Sequence, residues 1–357
     1  MLETLDETVL VGHAGYQNHQ QIIALSDEEA GLRGFIAIHD TTLGPALGGC
    51  RMWNYADSAS ALTDALRLSA GMTAKNALAN LDFGGGKAVL IGDPRKDKTP
   101  GLFRALGRAI ETLGGRYITA EDVGVTMADM DFTAQATGHV RGTSASGLGD
   151  PSPYTALGVF HGILAAASHR FGVIGLAGLT VSLKGLGSVG FRLAEKLHDA
   201  GARLIVSDID RTAVTRAVDA FGAASVDPDD AHRVAADIFA PCALGGDLNA
   251  KTIPEIAAAI VAGAANNQLA SEADADRLHG RGILYAPDFA INAGGVIAIA
   301  LGRPGVSEAR IAQKAEAIGV TLRAIFARAR AENRATFHIA DQFAQERLVA
   351  ARARSAA

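Results

Sequence analysis

Thr180-Val181-Ser182-Leu183-Lys184-Gly185-Leu186-Gly187-Ser188-Val189-Gly190 is the stretch that decides the fold of this chain. Its first five residues read as a buried strand. A helical run follows from Phe191 to Ala200, and Ala202 to Ser207 reads as the next strand, closing at Asp208. A bare Gly-x-Gly-x-x-Gly carries little weight in a chain with 41 glycines. Set between a strand and a helix, with an acid at the end of the following strand, it predicts a dinucleotide site. Gly185, Gly187 and Gly190, with Leu186, Ser188 and Val189 between them, would let backbone approach a pyrophosphate at a helix N-terminus. Asp208 would accept hydrogen bonds from the adenosine ribose hydroxyls and repel a 2′-phosphate. NAD is therefore expected over NADP, with Arg211 three residues on working against that preference.

The alternation continues towards the C-terminus. Asp237 to Pro241, Ala259 to Ala264 and Ile283 to Tyr285 read as strands, with helical segments such as Thr212 to Phe221 between them. Ligands bind at the carboxyl ends of strands in such sheets. Asn266 and Asn267 follow one of those ends, so they are candidates to hold the nicotinamide ribose or carboxamide, or to approach a substrate. The same dipeptide also reads as a plain turn.

Upstream, Leu81-Asp82-Phe83-Gly84-Gly85-Gly86-Lys87 runs into the apolar Ala88-Val89-Leu90-Ile91. The reading places Lys87 at the mouth of a strand, with no neighbouring side chains on its glycine side. Desolvation lowers a lysine pKa and makes it a usable base near neutrality. The plainer reading is a Gly-rich turn with a solvated lysine. Lys75 ends a predicted helix from Ser58 to Ala77, with Ser58 as N-cap and Leu62, Leu66, Ala70 and Met72 in its buried stripe. Arg116 to Ala120 reads as a short strand that ends in Glu121-Asp122-Val123-Gly124. Two lysines and Asp122, each at the edge of a regular element, form a candidate cluster for gripping a carboxylate and moving protons on the adjacent carbon.

Composition bounds the rest. The 357 residues are 48% hydrophobic, enough for two sizeable domains. A net charge of −5 and a pI near 6.1 argue against nucleic acid or an anionic membrane as partner. The acidic opening, Met1 to Glu7, has no signal-peptide pattern, and no apolar run reaches membrane-spanning length, since Thr155 to Thr180 is interrupted by His161, His169 and Arg170. Two cysteines, Cys50 and Cys242, make no disulfide framework, and the ten histidines show no metal-ligand pattern. The expectation is a soluble cytoplasmic protein acting on a small molecule, with no metal.

Leu81 to Pro94 resembles the active-site signature of the glutamate/leucine/phenylalanine/valine dehydrogenases. Gly44 to Trp53, Gly92 to Lys98, Tyr117 to Gly124, Pro241 to Gly245, Ala265 to Leu269 and Asn292 to Val296 also resemble that family, in its order, and within it the leucine (or valine) branch. The resemblance implies an α/β fold: an N-terminal α/β substrate and oligomerisation domain, a Rossmann-type NAD-binding domain, and an active site in the cleft between them. The expected boundaries are 1–141 for the first domain, joined by C-terminal helices at about 326–357, and 150–325 for the second. The small, polar stretch Arg141 to Pro153 would be the linker, and its length departs slightly from the leucine enzymes. A homo-oligomer is implied, a dimer or higher, with an octamer among the possibilities.

The implied reaction is reversible oxidative deamination of a branched-chain L-amino acid to a 2-oxo acid, ammonia and NADH. Lys75 would pair with the α-carboxylate, Lys87 would deprotonate the attacking water, and Asp122 would shuttle a proton to the leaving nitrogen. Lys75 would also disfavour a second charge on Lys87. Gly48 and Gly49 would let backbone lie close to the substrate. Glutamate enzymes usually carry lysine at the position of Leu47, so leucine there implies an aliphatic substrate. Ala120, Val296 and Ile299 match side-chain pocket positions, although each also reads as core packing. One methylene discriminates weakly, so leucine, valine and isoleucine are not separated. After Val296 the run Ile297 to Gly305 lacks the acidic pair usual in the family. The alternatives are a phenylalanine dehydrogenase, needing more room near Leu47 and Ala120, and a non-catalytic NAD-binding sensor, which would be expected to lose Lys75, Lys87 or Asp122.

Overall fold

Strand-forming runs on either side of Lys87 build a mixed sheet. The structure is a computed structural model that describes residues 2–6, 10–303 and 305–355. Met1, Glu7, Pro304, Ala356 and Ala357, which enter the readings above, lie outside the described residues. The chain divides into two compact units, Met1–Gly149 with Ile299–Val306 and Ala344–Ala357, and Asp150–Ala298 with Ser307–Phe343.

The first unit contains β1 (Leu2–Thr4), β2 (Gln21–Asp27), β3 (Leu32–Asp40), β4 (Ala46–Leu47), β5 (Cys50–Trp53), β6 (Gly84–Ile91) and β7 (Tyr117–Ile118). They line up as β1-β2-β3-β6-β4-β7, with β5 also paired to β6. The β1, β2, β3 and β6 pairings are antiparallel, while β4 and β5 run parallel to β6. Side chains alternate across this sheet. Ile36, Ile38, Ala88 and Leu90 enter a core with Leu102, Phe103, Leu106 and Ile110 of the Pro100–Glu111 helix. Ala37 and Val89 face the other way, onto Ala61, Leu62, Ala65 and Leu66 of the Ser58–Leu78 helix. The sheet therefore separates two apolar layers.

Two local expectations change. The helix bearing Lys75 is capped by Asp57, whose carboxylate accepts from the Ser60 amide at 2.7 Å, so Ser58 is its first helical residue rather than its cap. Aspartate and serine cap comparably well, so sequence alone does not rank them. Gly84-Gly85-Gly86 is strand and not a turn, and it leads into Lys87 within β6. A Cβ at Gly84 would lie 1.9 Å from the Asp40 carbonyl oxygen, and one at Gly85 would lie 2.1 Å from Thr73 Oγ1. These glycines admit neighbouring protein atoms, so the space they leave is filled from within the fold.

The second unit holds β8 (Thr180–Lys184), β9 (Arg203–Ser207), β10 (Ala224–Ser225), β11 (Ile238–Pro241), β12 (Ile260–Val261) and β13 (Leu284–Tyr285). All pair in parallel, in the order β10-β9-β8-β11-β12-β13. With β8 as the first strand this is 3-2-1-4-5-6, the doubly wound dinucleotide-binding order. The strand order reverses between β8 and β11, which places a crevice at their carboxyl ends.

Residues 326–343 belong with this unit, not with the first domain as expected. Thr336 Oγ1 donates to the Tyr285 carbonyl at 2.6 Å, and His338 lies 3.1 Å from Asp276. Those ties hold the stretch to β13 and the Ala273–Gly280 helix. The helical run expected from Ala309 to Arg354 is three helices, Glu308–Glu316, Ile318–Glu332 and Thr336–Ser355, the second ending at Asn333 in the left-handed region. No helix among the described residues is long and apolar enough to cross a membrane.

Candidate functional site

Strand alternation sets the chemistry of the first unit. Lys87 shares the parity of Val89, so its side chain points to the sheet face covered by the Ser58–Leu78 helix. Arg51 is paired in register with Val89 and Leu47 with Gly85, so both point to that same face. Lys75, half-buried, sits in the last turn of the covering helix. One face of one sheet thus carries Lys87 and Arg51 beneath the helix that bears Lys75.

Lys87 is only 4% exposed. Its Nζ donates to Asp122 Oδ2 at 2.6 Å, and Arg51 Nε donates to the same oxygen at 3.2 Å. Burial pushes the Asp122 carboxyl up, but the charges of Lys87 and Arg51 outweigh it, and its pKa falls to about 2. Asp122 is therefore an anion throughout the working pH range. The charge in contact with Lys87 is this carboxylate, where the sequence pointed to Lys75 as the influential neighbour.

The flanking glycines have steric roles. A Cβ at Gly49 would lie 2.5 Å from the Glu121 carbonyl oxygen and 2.9 Å from Asp122 Cβ. A Cβ at Gly48 would lie 1.7 Å from the carbonyl oxygen of Gly86, the residue before Lys87. The Ala120 carbonyl accepts from the Cys50 amide at 2.7 Å, which docks the strand carrying Arg51 beside the segment leading to Asp122. Leu47 and Ala120 are 1% and 2% exposed. Val296 and Ile299 are half-buried on the Gly294–Leu301 helix; Val296 clusters with the second unit and Ile299 with the first.

Arg51 carries the site as much as either lysine, and sequence reading passed over it. Its NH1 also reaches Asp64 at 3.0 Å, and Tyr55 donates its hydroxyl to the same Asp64 oxygen. The guanidinium thus bridges Asp122 to the covering helix. A second missed residue is Arg347. It donates to the Ala77 carbonyl at 2.7 Å and the Leu81 carbonyl at 3.0 Å, closing the C-terminus of the helix that bears Lys75. An arginine in a position of contiguous high alternation (Cys50-Arg51-Met52) was the available signal for the first; nothing local marked the second.

In the second unit the loop after β8 fits a dinucleotide pyrophosphate. A Cβ at Gly185 would lie 2.7 Å from the Ala243 amide nitrogen, and one at Gly190 would lie 1.9 Å from the Gly185 carbonyl oxygen. A Cβ at Gly187 meets nothing within 4 Å, so backbone is open there just before the Ser188–Asp199 helix. That division of labour among three glycines is the one such a turn needs: tight turn, close ligand approach, close helix packing. Leu186, Ser188 and Val189 ride on the same turn and first helical residues. Asp208 Oδ2 accepts from the Leu186 amide at 2.5 Å and Oδ1 from the Asp210 amide at 2.8 Å, which fixes the carboxylate beside the loop. Asn266 and Asn267 are exposed past the end of β12. Asn267 has φ 51° and donates its amide to Asp288 at 2.6 Å, while Asn266 accepts from Asn292 Nδ2 at 2.8 Å. They form a held turn at a strand's carboxyl end, so the turn and ligand readings are compatible.

Comparison with known proteins agrees with this geometry. Residues 19–139 match the family model described as Glu/Leu/Phe/Val dehydrogenase, dimerisation domain. Residues 209–352 match the model described as Glutamate/Leucine/Phenylalanine/Valine dehydrogenase. A leucine dehydrogenase of Geobacillus stearothermophilus is 52% identical over 333 residues, covering 93% of this chain and 91% of that protein. A valine dehydrogenase of Streptomyces albus is 45% identical over 347 residues, covering 96% and 95%. The crystal structure of L-tryptophan dehydrogenase from Nostoc punctiforme superposes with a TM-score of 0.85 at 42% identity, covering 98% of this chain and 99% of that one.

Proposed function

Since the chain belongs to the glutamate/leucine/phenylalanine/valine dehydrogenase family, we propose that it catalyses the reversible NAD-dependent oxidative deamination of branched-chain L-amino acids, leucine with valine and isoleucine, to the 2-oxo acid, ammonia and NADH. The observation that carries the reading is the buried Lys87 amine in contact with an Asp122 carboxylate that Arg51 also holds. In this reading the first unit binds the amino acid and the second binds the dinucleotide.

The nicotinamide, when bound, accepts the hydride that leaves the amino-acid Cα. The chain's own residues manage charge and protons. Lys75 pairs with the α-carboxylate common to every substrate. Water adds to the iminium carbon, forming a C–O bond, and Lys87 takes the proton that water releases. Asp122, touching Lys87, relays a proton to the nitrogen, and the C–N bond then breaks as the carbinolamine hydroxyl gives up its proton and becomes the keto C=O, releasing ammonia. A carboxyl held near 2 does not keep that proton, which suits a relay.

Asp208 supports NAD over NADP, because its fixed carboxylate lies where a 2′-phosphate would be repelled. Leu47 and Ala120 support an aliphatic substrate over glutamate, as an uncompensated side-chain carboxylate against them costs at least several kcal/mol. Their close packing also leaves less room for a phenylalanine ring. We further infer a homo-oligomer formed through the first unit. The family description of residues 19–139 as a dimerisation domain supports it, as does β1, an exposed strand at the sheet edge. The test is NAD(P)H formation across L-leucine, L-valine, L-isoleucine, L-phenylalanine and L-glutamate with each dinucleotide. Glutamate or phenylalanine as the preferred substrate refutes the aliphatic assignment, and NADP preference refutes the role of Asp208.

A further inference from the structure

A cavity of 490 Å³ lies in the second unit, lined by residues from the ends of the Ser152–Phe171 and Ile318–Glu332 helices and from β13. That volume is within the range of small-molecule sites. Its basic residues are His169, Arg170, His279, Arg330 and Arg334, and no carboxylate lines it among the described residues. The cavity contains Gly282, Ile283 and Leu284, at the start of β13. The dinucleotide loop, by contrast, follows the carboxyl end of β8.

The charges there are not fully answered by the fold. These two helices and the Ala273–Gly280 helix, which supplies Ala275 and His279, end at the cavity, and a helix C-terminus carries about half a negative charge. Three such ends offset roughly one and a half cations. Arg334 pairs with Glu332 at 2.9 Å. Arg170 and Arg330 make no side-chain hydrogen bond or ion pair among the described residues, which leaves roughly half a positive charge in excess. His169, with its ring 5.5 Å from that of Phe326, is held below its ordinary pKa by burial first and then by Arg330 and Arg170, so the field at the cavity is positive. Guanidinium groups bind phosphate oxygens through paired donors.

We propose that this cavity is a second anion site, one that binds a small molecule bearing two or more linked phosphates between Arg170 and Arg330. Two sources supply that chemistry, an inorganic polyphosphate and a nucleoside triphosphate. The half-buried His169 ring, backed by the buried Phe326, offers a surface for a nucleoside base.

The test is calorimetric titration of the full-length protein with tripolyphosphate, and separately with ATP. Both are done at saturating NAD, so that the loop after β8 is filled. Wild type should bind at least one probe saturably, and the double variant Arg170→Gln, Arg330→Gln should weaken binding at least tenfold. Both residues are exposed, so the variant should keep its unfolding midpoint and its basal amino-acid oxidation, which verifies its fold. Tighter binding of ATP than of tripolyphosphate assigns the nucleotide; equal binding assigns the phosphates alone. No saturable binding of either probe, or binding undiminished in the double variant, overturns the proposal.

Discussion

Replacing Gly49 with alanine places one methyl group where the Asp122 segment already lies. The added Cβ would sit 2.5 Å from the Glu121 carbonyl oxygen and 2.9 Å from Asp122 Cβ. Ordinary contact begins near 3.4 Å, so Glu121 and Asp122 must retreat by about 0.9 Å from the first overlap alone. Backbone on both sides makes that shift costly, on the order of 1–3 kcal/mol for overpacking. The catalytic consequence is larger than the stability cost suggests. A shift of about 1 Å in a reacting group can lower turnover by roughly a hundredfold, and the Lys87–Asp122 hydrogen bond of 2.6 Å has no slack to absorb it. Gly49→Ala should therefore fold, bind NAD normally in the second unit, and lose about two orders of magnitude in kcat for L-leucine. Steady-state kinetics, with NAD affinity and the unfolding midpoint measured on the same preparation, decide it. A folded variant with kcat within threefold of wild type refutes the claim that Gly49 sets the position of Asp122.

Arg51→Met removes one of the two cations on Asp122 while leaving Lys87; the carboxyl pKa should rise, and leucine turnover should fall about tenfold with an altered pH profile, where an unchanged profile would count against Arg51 as a positioning residue. Asp122→Asn should lower stability at neutral pH by about 3 kcal/mol, because it strands a buried lysine, and denaturant unfolding measures this. The same carboxylate links stability to acid. Its folded value of about 2 lies below its ordinary 3.8, so its contribution of roughly 2 kcal/mol is present above about pH 4 and is lost as pH falls towards about 2. Asp122→Asn should flatten that part of the acid-unfolding curve. Asp208→Ser should narrow the ratio of kcat/KM for NAD over NADP by relieving repulsion of the 2′-phosphate, and an unchanged ratio would place the discrimination elsewhere.

What was legible in the sequence was local. The strand, Gly-x-Gly-x-x-Gly turn and helix around Gly185 to Gly190 carry their own period and punctuation, and Asp208 falls at the end of the next strand as read. The bounds of the Ser58–Leu78 helix were legible to within one residue, but of the expected buried stripe only Leu62 and Leu66 are buried, Ala70 and Met72 being half-buried while Ser69, Thr73 and Asn76 take the inner face. Features set by distant partners were not. Gly84 to Gly86 looks like a turn because glycine disfavours strands, yet Asp40, Thr73 and Tyr117 pack so close that only glycine fits. Arg51 acquires meaning only through Asp64 and Asp122, residues that folding brings to it. The destination of residues 326–343 depends on Thr336 meeting Tyr285, a contact across 51 positions that no local pattern announces.

The central claim is that the Lys87–Asp122 pair performs acid–base chemistry on an aliphatic amino acid. The direct measurement is NADH formation from L-leucine by wild type and by Lys87→Ala, with NAD binding followed in parallel. The account predicts that wild type turns over leucine, and that the variant binds NAD unchanged while losing at least about a hundredfold in kcat. Turnover in Lys87→Ala close to that of wild type, with the same pH dependence, would contradict it.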